Sequence, residues 1–269
     1  MELTTRWLDG LAGADGRRLA ALLAGLPGRS AHDGPDADPI EAAEFSERAG
    51  EPRLRLAWNV DPGRVDAGAV VRFLAARGVD LPDLAMRLDA HPGAHVQVGV
   101  DGAKTKLYAY RRPLPGLLTS LVELAGGRAR EDAVFGCVDF EPAPLLKQYA
   151  EFPTAEAALA SGRLLAEPAL QEVLERLPDG LSAGPAPIVL TDLQVHGVIV
   201  GQTLHVAVDR APERLAELAG AELSGRLATL YRRAHALGLR LAPTYVSWNR
   251  RRELEPIRTA YYRLSRSAP

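Results

Sequence analysis

The stretch from His95 to Arg112, HVQVGVDGAKTKLYAYRR, constrains the fold more than any other part of the chain. It reads as two strands joined by a tight turn at Asp101-Gly102. Side chains on a strand alternate between faces. Val96, Val98 and Val100 therefore share one face, and Lys104, Lys106, Tyr108 and Tyr110 share a face of the second strand. Long polar groups on one face, some of them cationic, suit the lining of a wet, anion-holding cavity. The plainer alternative is a solvated face with its lysine stems lying along it. The cavity reading gains weight because the pattern recurs. On 53–60, Leu54, Leu56 and Trp58 oppose Arg53, Arg55 and Asn59, and on 145–152 Lys147 and Tyr149 share a face.

The rest of the chain falls into the same rhythm. Leucines at helical spacing predict one or two helices over 4–26, followed by a Gly/Pro/Asp-rich loop. Strands are expected over 41–48 and 53–60, then helices over 65–77 and 82–88, then the central hairpin. A helix over 115–125 stops at Gly126-Gly127. Strands over 133–141 and 145–152 follow. A long helical region from Thr154 to about 181 is interrupted near Pro168. Strands over 188–200 and 203–209, turning at Gly201-Gln202, lead to a helical region over 212–239 and last strands over 244–250 and 257–264.

The order is helix, strand, strand, five times. Consecutive hairpins favour antiparallel neighbours, and ten strands in one sheet tend to curl or close. The expected fold is α+β: a single ten-stranded antiparallel β-barrel over residues 1–269, surrounded by helices. The helices cover the apolar sheet face and leave the polar face inside a lumen wide enough for ligand. Two α+β domains, or a split sheet with a groove, are the competing architectures.

Composition narrows the function. A net charge of −2 argues against a general nucleic-acid binder. The single cysteine, Cys137, excludes an internal disulfide and a cysteine-based zinc cluster. The N-terminus does not read as a signal peptide, and no apolar run approaches a membrane span. The expectation is a cytoplasmic monomer with no nucleic-acid or membrane partner. No P-loop, dinucleotide fingerprint or nucleophile elbow is present. His196 and His205 fall on adjacent predicted strands but lack a third ligand at metal spacing.

Arg55 in RLRLAWNVD, the run VGVDGAKTKLYAY, the run FGCVDFEPAPLLKQYAEF and the closing TYVSWNRRRELEPIRTAYYRL give the chain a family likeness. With the five α-β-β units, it resembles the ABBA aromatic prenyltransferases, and most of all the cyanobactin-type peptide prenyltransferases. That resemblance implies transfer of a dimethylallyl group from its diphosphate to an aromatic or heteroatom side chain of a cyclic peptide, in natural-product biosynthesis. The alternatives are transfer to a free phenol or indole metabolite, or a ligand-binding barrel without chemistry. The cyanobactin-type enzymes use magnesium, so the likeness allows Mg²⁺ without naming ligands; no aspartate-rich DDxxD run is present.

The residues fit that chemistry. Breaking an allylic C–O bond leaves a multiply charged diphosphate, which fixed cations and tyrosine hydroxyls stabilise as the charge develops. Arg55, Lys106, Tyr108, Lys147, Tyr149, His205 and Tyr261 are the expected diphosphate groups, with Tyr262 the alternative to Tyr261. Tyr110 and Trp248 are expected to flank acceptor and prenyl chain, where a ring attracts an allylic cation. The acceptor must lose a proton. The resemblance gives that role to a first-strand glutamate, Glu44 by preference and Glu41 second.

Overall fold

The computed structural model describes residue 17 and residues 43–60, 67–81, 83–89, 96–101, 104–111, 115–140, 144–164, 167–177, 187–208, 214–251 and 256–266. The helices expected over 4–26 lie outside these apart from Arg17, which is helical, and so does Glu41.

The strands are β1 (Ala43–Arg48), β2 (Glu51–Val60), β3 (Val96–Asp101), β4 (Lys104–Tyr110), β5 (Phe135–Asp139), β6 (Leu145–Phe152), β7 (Ile188–Val195), β8 (Val198–Ala207), β9 (Leu239–Arg251) and β10 (Ile257–Arg266). Between the hairpins stand α1 (Ala67–Ala75), α2 (Leu84–Asp89), α3 (Pro115–Leu124), α4 (Ala155–Ala160), α5 (Pro168–Glu175), α6 (Leu215–Ala219) and α7 (Ala221–Ala236). Each strand pairs antiparallel with its neighbours in sequence. β1 also pairs with β10, which closes the sheet on itself and removes its free edges.

Alternation decides which face each residue takes. Val98, Leu107, Val138, Leu146, Leu190, Leu204 and Val246 point outward into one continuous core. They pack against Leu117, Leu118 and Leu121 of α3, Leu170 and Leu174 of α5, and Leu223 and Leu230 of α7. Each fully buried leucine contributes on the order of 2 kcal/mol, so the helices are held by this outer layer and the lumen is free to be polar. Local signals set the helix ends. Thr154 accepts a hydrogen bond from the Ala157 N–H at 3.1 Å and caps α4. Gly126, at φ +60°, turns the chain out of α3.

One buried polar knot also lies on the outer face. Asp192 accepts from Arg163 Nη2 at 2.7 Å, Gln202 Nε2 at 2.7 Å and Arg130 Nη1 at 2.9 Å. Gln148 accepts from the Arg130 N–H and donates to the Arg128 carbonyl. These bonds tie the α3–β5 connection and the end of α4 to the sheet without entering the lumen.

Three boundaries differ from the sequence expectations. Asp101 closes the β3–β4 ladder opposite Lys104, so it belongs to the strand and not to the turn. The β7–β8 turn is His196-Gly197, not Gly201-Gln202: Val195 pairs with Val198, and both turn residues have positive φ, 49° and 76°. Such a two-residue turn demands φ > 0 twice, and a histidine is a rare choice for it. Finally, β9 begins at Leu239, before Pro243, and not at 244. A register shift between Tyr261 and Tyr262 sets Tyr245 and Pro243 opposite them. The bulge absorbs the proline's missing N–H.

Candidate active site

The inward faces enclose a cavity of about 240 Å³. Arg55, Lys106, Tyr108, Tyr110, Lys147, Tyr149, His205 and Tyr261 all line it, from five different strands. Eight of the sequence candidates thus converge on one space.

The lumen is layered. Rings form a girdle: Tyr108 to Tyr149 at 6.5 Å between centroids, Tyr149 to His205 at 5.9 Å, His205 to Tyr261 at 5.8 Å. Each contact crosses two strands and lies two residues off the direct row of Cα partners, because barrel strands tilt against the axis. Two residues back along β4, β6 and β8 stand Lys106, Lys147 and Thr203. Arg55 faces Ser46, which faces Tyr261. Carried across those strands, the same tilt sets Arg55 in the layer of the lysines. Two residues forward stand Tyr110, Glu151 and Arg263, which also line the cavity. Arg55, Lys106 and Lys147 therefore occupy one depth, aromatic rings the next, and a mixed polar rim that includes Arg263 the third.

The electrostatics follow from burial. Asp139, 4% exposed, lies behind the lysines: its Oδ2 accepts from Lys147 Nζ at 2.7 Å. Burial alone would raise its carboxyl, but Lys147 and Lys106 outweigh it and hold the pKa at about 2. Burial would likewise strip Lys147 of its proton, and Asp139 reverses this, leaving the ammonium above its ordinary value. Burial and the charge of Lys147 push His205 down to about 3, so its imidazole is neutral. Thr191 Oγ1 lies 3.1 Å from His205 Nε2. Burial also raises the Tyr108 and Tyr149 phenols well above their usual range, so both remain donors.

Trp248 is a correction. Its neighbours Tyr245 and Asn249 line the cavity, whereas Trp248 is 4% exposed in the outer core beside Leu204 and Val246. Alternation puts it on the helix side, opposite the outward-facing Leu204, so its ring cannot flank a ligand in the lumen. Tyr262, the alternative to Tyr261, is buried in that same core. Glu44 stands in β1 opposite Ala57 and Arg263, two residues before the cavity-lining Ser46; its side chain lies outside the described residues.

The cavity is also lined by residues outside the expected site: Phe135, stacked on Tyr149 at 4.1 Å and on Tyr110 at 5.0 Å, with Tyr245, Gln97 and Asn249. The signal for them was parity alone. Phe135 shares a face with Cys137 and Asp139, and Tyr245 with Asn249.

No protein-family model matches the sequence, and no curated protein matches it. Solved structures do. The 5-dimethylallyltryptophan synthase of Streptomyces coelicolor aligns at TM-score 0.62 and 18% identity, over 97% of this chain and 95% of that one. PriB, crystallised with product diphosphate, aligns at 0.64 and 19%, over 97% and 95%. A 6-dimethylallyl tryptophan synthase aligns at 0.62 and 20%, over 100% and 97%. The chain has the ABBA prenyltransferase fold.

These neighbours are named for tryptophan or for prenyl transfer in general, and do not single out the peptide subfamily. Among the described residues, no three His, Cys, Asp or Glu side chains cluster, and Asp139, behind the lysines, is bonded to Lys147. Among the described residues, no helix is long and apolar enough to cross a membrane.

Proposed function

We propose that this barrel transfers a dimethylallyl group from its diphosphate to an aromatic acceptor. One observation carries the reading: the layer of Arg55, Lys106 and Lys147 lies directly beside the ring girdle of Tyr108, Tyr149, His205 and Tyr261. Leaving-group charge and allylic cation need those two surroundings side by side.

The diphosphate seats on the cations, with the Tyr108, Tyr149 and Tyr261 hydroxyls and the neutral His205 as further donors. The allylic C–O bond breaks and its electron pair goes to the diphosphate oxygen. Each charge-assisted contact contributes about 2–4 kcal/mol to that step in a dry site. The rings shield the dimethylallyl cation by cation–π attraction. The acceptor's π or lone-pair electrons form the new bond to carbon. Its displaced proton passes to Glu44, and diphosphate leaves. Tyr110, stacked on Phe135 at the rim, flanks the acceptor.

For the acceptor, the two readings are a free indole or phenol metabolite and an aromatic side chain of a cyclic peptide. The free indole comes first, because the structural neighbours include an enzyme crystallised with DMASPP and Trp and the lumen is small. The peptide reading keeps the support of the sequence motifs. The protein is read as a single-domain cytoplasmic monomer. A competition assay separates the acceptors: dimethylallyl diphosphate is offered with tryptophan, tyrosine, a naphthol and a cyclic Trp/Tyr peptide together. Mass gain on a free aromatic is expected. Mass gain on the peptide alone rejects the free-metabolite reading, and no mass gain on any acceptor rejects prenyl transfer.

A further inference from the structure

Asp139 is a buried acid that the transfer chemistry does not use. It lies 4% exposed on the inner face of β5, at the far side of the lysines from the cavity. Its Oδ2 is 2.7 Å from Lys147 Nζ, and Lys106 is its direct Cα partner across β4. Its other oxygen lies 3.6 Å from Cys137 Sγ. A carboxylate beside an anion site is a puzzle, since it repels the ligand that the site must hold.

The lysines explain it. Arg55, Lys106 and Lys147 converge in a space walled by rings, where burial disfavours charge and like charges disfavour one another. We propose that Asp139 is a positioning residue of the donor site: it fixes the Lys147 ammonium and compensates that of Lys106, so that the cation layer is fully charged before the donor arrives. The assignment rests on the prenyl-transfer reading. Its partner contacts agree in direction, with Asp139 depressed and Lys147 raised against the pull of burial on each. The other groups facing this pair cannot substitute. From β4 comes Tyr108, from β5 Cys137 and from β6 Tyr149, all held neutral by burial; His205 of β8 is neutral as well. Tyr261 of β10 acts on Lys147 only at a distance.

The consequence has a sign that a merely structural residue would not produce. Asp139→Asn removes a negative charge near the anion but lets one buried lysine lose its proton near neutral pH. Inorganic diphosphate is the probe, with affinity and proton uptake measured by calorimetry in buffers of different ionisation enthalpy. At about pH 6 the variant should bind as tightly as wild type or tighter; above its new inflection it should weaken roughly tenfold per pH unit, with about one proton taken up per diphosphate. Diphosphate titrates in this range and contributes to both proteins, so both effects are read as the variant's difference from wild type, whose lysines should stay charged up to about pH 9. A variant curve parallel to wild type, or uniformly weaker without proton uptake, overturns the assignment.

Should Asp139→Asn not fold, the unmodified protein decides by NMR titration of the lysine side chains. A Lys147 ammonium still charged near pH 10 upholds the assignment, and one titrating below about pH 9 overturns it. Wild type that binds no diphosphate at any pH overturns this assignment together with the transfer reading. Wild type that binds, beside a parallel variant, overturns this assignment alone.

Discussion

Lys106 and Lys147 look equivalent in sequence, each two residues before a tyrosine on an alternating strand. That likeness suggests that truncating either leaves folding intact. The structure separates them by geometry: Lys147 reaches buried Asp139 with a 2.7 Å bond from the neighbouring β6, whereas Lys106 is its direct Cα partner across β4. Removing one partner of a buried pair strands the other charge. Lys147→Ala should lose about 3 kcal/mol of stability along with activity, whereas Lys106→Ala should lose activity at a cost of about 1 kcal/mol or less. Urea midpoints of the two variants check this; equal midpoints would contradict it. His205 supplies the pH dependence. Its pKa falls from 6.5 in the open chain to about 3 in the barrel, chiefly through burial. The protonated form therefore prefers the unfolded chain. The stability that neutral His205 contributes is complete above pH 6.5 and is lost as pH falls toward 3. The slope from this residue is at most about 1.4 kcal/mol per pH unit. His205→Gln should flatten that acid limb between those values, and an unchanged slope would exclude His205 as its source. Asp139 adds a second, lower limb, present above its open-chain 3.8 and lost as pH falls through about 2.

At the scale of the element, the sequence was most legible where a strand alternates cleanly. Parity alone sent Lys106, Tyr108 and Tyr110 inward and Leu107 and Ala109 outward, as the ladder has them. Parity also places Trp248 outward, between the inward-facing Ser247 and Asn249 rows, whatever its aromatic character suggests. Asp139 was invisible for a different reason. A short acid at the end of FGCVD gives no hint that a lysine eight residues on will fold back against it. Turns were legible only where glycine supplied the whole signal. At His196-Gly197 the first residue departs from the usual Asn or Asp, whereas Gly201, the other glycine nearby, is a buried strand residue. Pro243 misled in the same way: a proline argues against a strand unless a bulge receives it, and the bulge depends on a partner strand that the local sequence does not reveal.

At the scale of the molecule, the division of labour between the two sheet faces matters most. Stability resides in the outer layer, where leucines from sheet and helices meet. The inner face is thereby free to hold, beside its rings, cations and hydroxyls that would be poor core formers. The central claim is that this inner face ionises a prenyl diphosphate and delivers the fragment to an aromatic ring. It is tested most directly by incubating the protein with dimethylallyl diphosphate and tryptophan, and counting diphosphate released against prenylated product formed, beside Lys106→Ala. The account predicts one diphosphate for each prenylated ring in the wild type, and loss of both signals in a variant that remains folded. Saturable donor binding with no product from any aromatic acceptor, or equal turnover in Lys106→Ala, would contradict it.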